Sequence, residues 1–350
     1  MKAIDLLEKK RTADVLPVFL RGRASLLKQD TAGACKAMER ALEIDPGYFP
    51  AAGVLAVLDN AEKRPDDARA RIEAAIKRDP GNVQAYMVLM ELRAANGADR
   101  AELAGILRKA VDGAPSSPIP RQLLVDHYLR GGETKEALAV AQQAVAALPD
   151  NAQLFDALGR AQSANGEHNQ ALASFNRMAA LQPQSPVPYL RMAGANLISG
   201  DRAAAGQSWR KALEIDPTAL EAQQGLVRLA MADRKSGDAL AMSRTVQKQR
   251  PKEAAGYVLE GEIHVAEKAW DKAIDVFRAG LKQVPASGEL AVRLHEVLVT
   301  AGKKSEADRL ATEWQRSHAK DATFPLYLGT RALAAKDLPE SLRQYERAVA

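Results

Sequence analysis

The sequence predicts an all-α protein, a right-handed α-solenoid in which one helical hairpin is repeated nine to ten times. Three observations carry this. Prolines recur at Pro46, Pro80, Pro115, Pro149, Pro183, Pro217, Pro251 and Pro285, in steps of 34 residues with a single step of 35. Twelve residues before each proline stands a small residue: Ala34, Ala68, Ala137, Ala171, Ala205, Ala239 and Ala273, with Leu103 the exception. Five residues before each stand Ala41, Ala75, Ala110, Ala144, Met178, Ala212, Val246 and Gly280.

The stretch from Asn151 to Gln184 shows what one period contains. Its first segment carries Leu154, Leu158 and Ala161 at helical spacing, and its second carries Ala171, Leu172, Phe175 and Met178. Each therefore buries one apolar stripe. The two face each other across a turn at Asn165-Gly166. Gly159 and Ala171 are the small residues at which the helix backbones are expected to cross closely. Pro183 closes the unit, because proline cannot continue a helix.

Residues 1–14 suit the second helix of a truncated repeat, with Ile4 and Leu7 on its apolar side. Nine units follow over residues 15–321, and a truncated tenth spans 322–350. The third unit holds the 35-residue step, and its turn at Asn96-Gly97-Ala98-Asp99 is the expected home of the extra residue. It ends in the proline-rich run from Ala114 to Pro120. That run reads either as a hinge between subdomains or as a longer loop with Pro120 in the first turn of the next helix. A second cluster, Pro183, Pro186 and Pro188, reads as an inter-repeat turn. In the ninth unit Ala319 replaces the terminal proline, and Trp314 stands where other units carry a small residue. Packing is expected to be distorted there, while Ala307 keeps the register. Neither end carries a polar capping helix, so the chain reads as a single superhelical domain cut from a longer protein.

The pattern resembles the tetratricopeptide repeat, a 34-residue helix-turn-helix unit. That family's first-helix glycine has counterparts in Gly22, Gly159, Gly261 and Gly329. Its second-helix aromatic has counterparts in Phe175, Trp209, Phe277 and Tyr345. The resemblance covers essentially the whole chain and implies the fold. It leaves the function open, because such repeats serve many roles.

Composition excludes several classes of function. The net charge of +5, from 49 basic and 44 acidic residues, is a thin field over an elongated body. No basic block with interleaved aromatics marks a nucleic-acid surface, and Lys9-Lys10-Arg11 and Lys303-Lys304 read as solvated faces. No apolar run is long enough to span a membrane. The single cysteine, Cys35, reads as a small, partly buried helical residue. His127, His168, His264, His295 and His318 lie in different repeats without metal-ligand spacing, although His264 and His295 fall on the first helices of adjacent repeats. His295-Glu296 lacks the second histidine of a zinc-protease helix, since residue 299 is Val. No nucleophile elbow, phosphate loop or dinucleotide fingerprint is present. The expectation is a protein that is not an enzyme and that needs no cofactor or metal.

Function is then expected in the concave groove, lined by the second, fifth, ninth and twelfth residues of each unit. These include Arg23, Asp126, Gln153, Asp156, Arg160, Gln224, Arg228, Met231, Val258, Glu262 and Glu296. The lysine and asparagine that some tetratricopeptide proteins use to clamp a C-terminal carboxylate are absent from the matching positions, as is the asparagine ladder of sugar-transferring relatives. Arg160 and Arg228 share the ninth position two repeats apart, and Asp156 and Gln224 lie one turn earlier. Asp156, Arg160, Gln224, Arg228 and Met231 are the candidate partner-binding residues, with both arginines expected to be exposed.

Longer stretches go beyond the general repeat. They include residues 48–69, 154–193, 246–262 and 301–329, with Gln-Lys-Gln-Arg-Pro-Lys-Glu inside the third. Together they resemble the tetratricopeptide-repeat lipoproteins of the PEP-CTERM/exosortase system. The resemblance implies a Gram-negative envelope protein, lipid-anchored through an upstream cysteine other than Cys35, working in exopolysaccharide production and surface-protein sorting. The expected role is a scaffold binding proteins or extended peptides. Two alternatives stay open: a surface that binds the polysaccharide itself, and the repeat arm of an enzyme whose catalytic domain lies elsewhere.

Overall fold

A computed structural model describes residues 2–10 and 14–349. The described residues form 21 α-helices and no strand. Helix α1 (Lys2–Lys10) precedes the hairpins. The first five hairpins are α2 (Val15–Leu27) with α3 (Thr31–Ile44), α4 (Phe49–Ala61) with α5 (Pro65–Arg78), α6 (Val83–Ala95) with α7 (Arg100–Gly113), α8 (Pro118–Arg130) with α9 (Thr134–Ala147), and α10 (Ala152–Ala164) with α11 (His168–Leu181). Five more are α12 (Val187–Ile198) with α13 (Arg202–Ile215), α14 (Leu220–Ala232) with α15 (Ser236–Gln249), α16 (Ala255–Ala266) with α17 (Trp270–Gln283), α18 (Gly288–Thr300) with α19 (Lys304–Ser317), and α20 (Thr323–Ala334) with α21 (Leu338–Val349). Arg11 and the side chain of Lys9, read above as part of a solvated face, lie outside the described residues.

The hairpin turn is built the same way each time. The second turn residue is left-handed in every one, with φ from +57° at Lys268 to +85° at Gly200. That conformation sends the next amide back to a carbonyl five residues earlier, as in Glu167 N to Gln162 O at 2.8 Å and Lys235 N to Ala230 O at 2.8 Å. This is the Schellman closure that satisfies the last carbonyls of a helix. The residue that ends the turn often caps the next helix too. Asp30, Asp99 and Asp201 accept from the amides of Gly33, Glu102 and Ala204 at 2.8, 2.8 and 2.9 Å. The third hairpin has the expected longer turn, Asn96 to Asp99, and its φ-positive residue is Gly97.

The periodic prolines all sit two residues past a second helix. At Ala319, where the proline is missing, α19 still stops at Ser317, so the proline reinforces a stop that the fold imposes anyway.

Inside a hairpin, one first-helix position lies under a second-helix side chain sixteen residues later. A Cβ on Gly22 would meet Met38 Cε at 2.6 Å, on Gly159 would meet Phe175 Cε1 at 2.3 Å, and on Gly261 would meet Phe277 Cε1 at 2.1 Å. The space at Gly159 is thus taken by the Phe175 ring. Where the first-helix residue is large, its partner is small: Val125 with Ala141, Val227 with Ser243, and His295 with Ala311. The total volume stays near constant, as a close-packed interior requires.

A polar rung crosses some hairpins one turn further along, between residues twelve apart. Arg71 Nε donates to the buried Asp59 Oδ2 at 2.6 Å, and Ser174 Oγ to the buried Gln162 Oε1 at 2.6 Å.

The chain divides into two compact units, Met1–Gln182 and Pro183–Ala350. The run from Ala114 to Pro120, one reading of which was a hinge, lies inside the first unit, with Pro118 at the first helical residue of α8 and Pro120 buried. The unit boundary falls instead at the second proline cluster.

Candidate functional site

In the first unit the candidate residues Asp156 and Arg160 lie one turn apart on α10. Asp156 is buried and Arg160 is half-buried. Arg160 Nη2 donates to Asp126 Oδ1 at 2.7 Å, and its Nε to Asp156 Oδ2 at 2.9 Å. Asp126 holds the same ninth position one repeat earlier, on α8. Burial opposes the charge on Arg160, but the bonds and attraction from Asp126 and Asp156 outweigh it and raise the guanidinium pKa. The expected exposed arginine is therefore the centre of a two-carboxylate ion pair joining adjacent repeats. The physical reason is the acid at the same register one repeat back.

In the second unit Gln224, Arg228 and Met231 lie on α14. Arg228 is exposed, with Gln224 and Met231 half-buried beside it. It forms no ion pair among the described residues, because neither register neighbour is free. One repeat back stands Gly194. One repeat ahead, Glu262 is taken by Arg293 at 3.1 Å, and Arg293 also reaches Glu296 at 3.2 Å. Val258, expected to line the groove, is buried instead in the core beneath Ile274 and Phe277.

Three of the histidines face different groups. His127 Nε2 lies 3.0 Å from Arg100 O, and His295 Nδ1 lies 3.0 Å from Tyr327 Oη. His264 Nδ1 faces Glu267 at 3.7 Å. No group of three or more metal-ligating side chains forms among the described residues. Cys35 is half-buried, and burial, reinforced by Glu62, Glu39 and Asp59, pushes its thiol pKa up. No described helix is long and apolar enough to cross a membrane.

Reciprocal volumes inside most hairpins, a left-handed residue in each turn and ion pairs along the first helices define a helical-hairpin repeat protein. The tetratricopeptide-repeat family models match residues 25–92, 123–186 and 225–288, more than half of the chain. The chain belongs to the tetratricopeptide-repeat family. Among solved structures it is similar to yeast Tom70, with a TM-score of 0.51 and 14% identity over 99% of this chain and 87% of that one. A tetratricopeptide repeat protein from Parabacteroides merdae aligns at a TM-score of 0.46 and 17% identity over 71% and 97%. MamA aligns at a TM-score of 0.37 and 22% identity over 46% and 94%. No curated protein matches the sequence.

Proposed function

We propose that the chain is a non-catalytic scaffold that binds partner proteins or extended peptides on the first-helix faces of its repeats. The observation that carries this is Arg228, an exposed ninth-position charge with no ion pair among the described residues, while Arg160 is paired by Asp126 and Asp156 and Glu262 by Arg293. An exposed arginine beside the half-buried Met231 and Gln224 is the mix of charge, apolar contact and amide that dominates protein interfaces. Asp156 and Arg160 shape the corresponding face of the first unit, chiefly by holding α8 against α10.

The resemblance to the PEP-CTERM/exosortase lipoproteins supports a place in the Gram-negative envelope, lipid-anchored through an upstream segment. The polysaccharide-binding alternative has less support, because sugar rings stack on exposed aromatic faces. No described Phe, Tyr or Trp is exposed, and Phe175, Trp209 and Phe277 are core residues.

The test is a photo-crosslinking amino acid placed at Gln224 or Met231 in cells that make the parent protein. Protease-sensitive adducts from these sites, lost in Arg228→Ala and absent from a probe at the exposed Lys211, are expected. Adducts of equal yield from Lys211, or adducts that resist protease, would overturn the reading.

A further inference from the structure

The ninth and tenth hairpins, both inside the second unit, depart from the packing of their neighbours. Elsewhere in that unit a second helix lies along the next first helix, as α15 does on α16 and α17 on α18. Helix α20 packs instead on α18 and α21. It meets α19 through Trp314, whose indole lies against Phe324 at 6.1 Å between ring centroids. Trp314 holds the position that Ala212, Val246 and Gly280 fill in the three preceding repeats. It is 5% exposed, its Nε1 donates to Asp321 Oδ2 at 2.7 Å, and its ring stacks on His318. A side chain of that volume cannot be absorbed where a small one belongs, so the helices stand apart.

The gap is a cleft of about 920 Å³ between α19 and the α20–α21 hairpin, within the size range of ligand pockets. Ala311, Leu328 and the buried His295 are part of its lining. Five basic and three acidic side chains surround them. Two acids are already engaged: Glu340 pairs with Arg343, and Asp337 accepts from the Glu340 amide at 3.1 Å. The third, Asp308, forms no ion pair among the described residues. Arg316 and Arg331 have no carboxylate partner there either, and Arg331 touches just the Tyr327 hydroxyl, at 3.4 Å. The surplus in the cleft is cationic. The lining holds no Phe, Tyr or Trp on which a sugar or a base would stack.

We propose that this cleft is a second binding site, for an acidic peptide segment whose carboxylates pair with Arg316 and Arg331 and whose apolar side chains rest on Ala311 and Leu328. Arginine suits the task because its planar fork takes a carboxylate through two parallel bonds. The site is separate from the Arg228 face.

The probe is a fluorescein-labelled Glu-Leu-Glu-Glu-Leu-Glu peptide, with Gln-Leu-Gln-Gln-Leu-Gln as control, followed by anisotropy. The acidic peptide is expected to bind at least about tenfold more tightly than the neutral one. Arg316→Gln with Arg331→Gln should weaken it by about tenfold or more. Thr312→Trp, which fills the cleft without changing charge, should block it. All three positions are exposed, so a parent-like circular dichroism spectrum is expected for each variant. Arg228→Gln should leave the peptide's affinity unchanged, which keeps this site distinct from the proposed scaffold face. Equal binding of both peptides, no loss in the double variant, or undiminished binding by Thr312→Trp would each overturn the proposal. So would an equal loss in Arg228→Gln, which would mean general attraction to a basic surface.

Discussion

Gly159 lies directly under the ring of Phe175: a Cβ on the glycine would stand 2.3 Å from Cε1. Gly261 and Phe277 repeat the arrangement at 2.1 Å. Both rings are buried, at 2% and 1% exposure, so neither can swing aside into solvent. Gly159→Ala is expected to destabilise by about 1–3 kcal/mol, the usual range for overpacking. Phe175→Leu costs stability alone through the cavity it leaves, but together with Gly159→Ala it should recover part of the loss. Denaturant melts of both singles and the double give the coupling, and strictly additive effects would show that the two positions do not share one space.

The ten turns allow a cleaner test, because five of their left-handed residues are not glycine: Gln29, Lys63, Arg234, Lys268 and Lys336. An L-residue there carries a conformational penalty of about 1 kcal/mol that glycine escapes. Lys268→Gly, at φ +57°, is expected to raise the unfolding midpoint, the relief being partly offset by the greater freedom of glycine in the unfolded chain. Gly200→Ala, at φ +85° with open space around it, should lower the midpoint by backbone strain alone. Thermal melts that move both variants in the same direction would refute the account.

Arg160 and Arg228 occupy one register but should respond differently. Removing Arg160 takes away the cation that Asp126 and the buried Asp156 share. Arg160→Ala is therefore expected to cost about 1–3 kcal/mol, with the loss confined to the first unit. Arg228→Ala should melt within about 0.5 kcal/mol of the parent, as exposed substitutions do. If both variants melt like the parent, the Asp126–Arg160–Asp156 cluster contributes nothing to stability.

These cases show what the sequence could reveal. The hairpin period was legible from prolines and alanines because each small residue answers a close helix contact. The extra residue at Asn96 to Asp99 was legible because it breaks the count. The left-handed turn positions were half hidden, since lysine, arginine and glutamine carry no signature of positive φ. The reciprocal volumes were visible only at their extremes, as glycine and aromatic. Val227 with Ser243 obeys the same rule with ordinary residues. The pairing of Arg160 could have been read from Asp126, an acid at the same position one repeat earlier. The exposure of Arg228 depends on Arg293 capturing Glu262, a contact between different register positions that no single period encodes. Trp314 marked a distortion, but which helix would give way is decided by the packing of α18 and α20.

His295 takes the place that Val227 and Gly261 fill in the two preceding repeats, and there it is buried at 5% exposure. Burial lowers its pKa to about 4, with Arg331 on α20 adding to the effect and Asp308 on α19 opposing it. Its Nδ1 lies 3.0 Å from the hydroxyl of Tyr327, whose own pKa burial raises, so that partner stays protonated. The folded state thus binds the imidazole proton less readily than the unfolded chain, where histidine titrates near 6.5. The neutral ring contributes its full stability above pH 6.5, and the contribution fades as pH falls toward 4. The loss across that window is on the order of 2–4 kcal/mol. Carboxylates with lowered pKa, such as Asp321 and Glu340, also weaken on the acid side, so the measurement must be a difference. The stability gap between the parent and His295→Asn should be constant above pH 7 and change progressively from pH 6.5 to 4, with the variant losing less. An NMR titration placing the His295 imidazole near 6.5 in the folded protein, or parallel stability curves for parent and variant, would refute this.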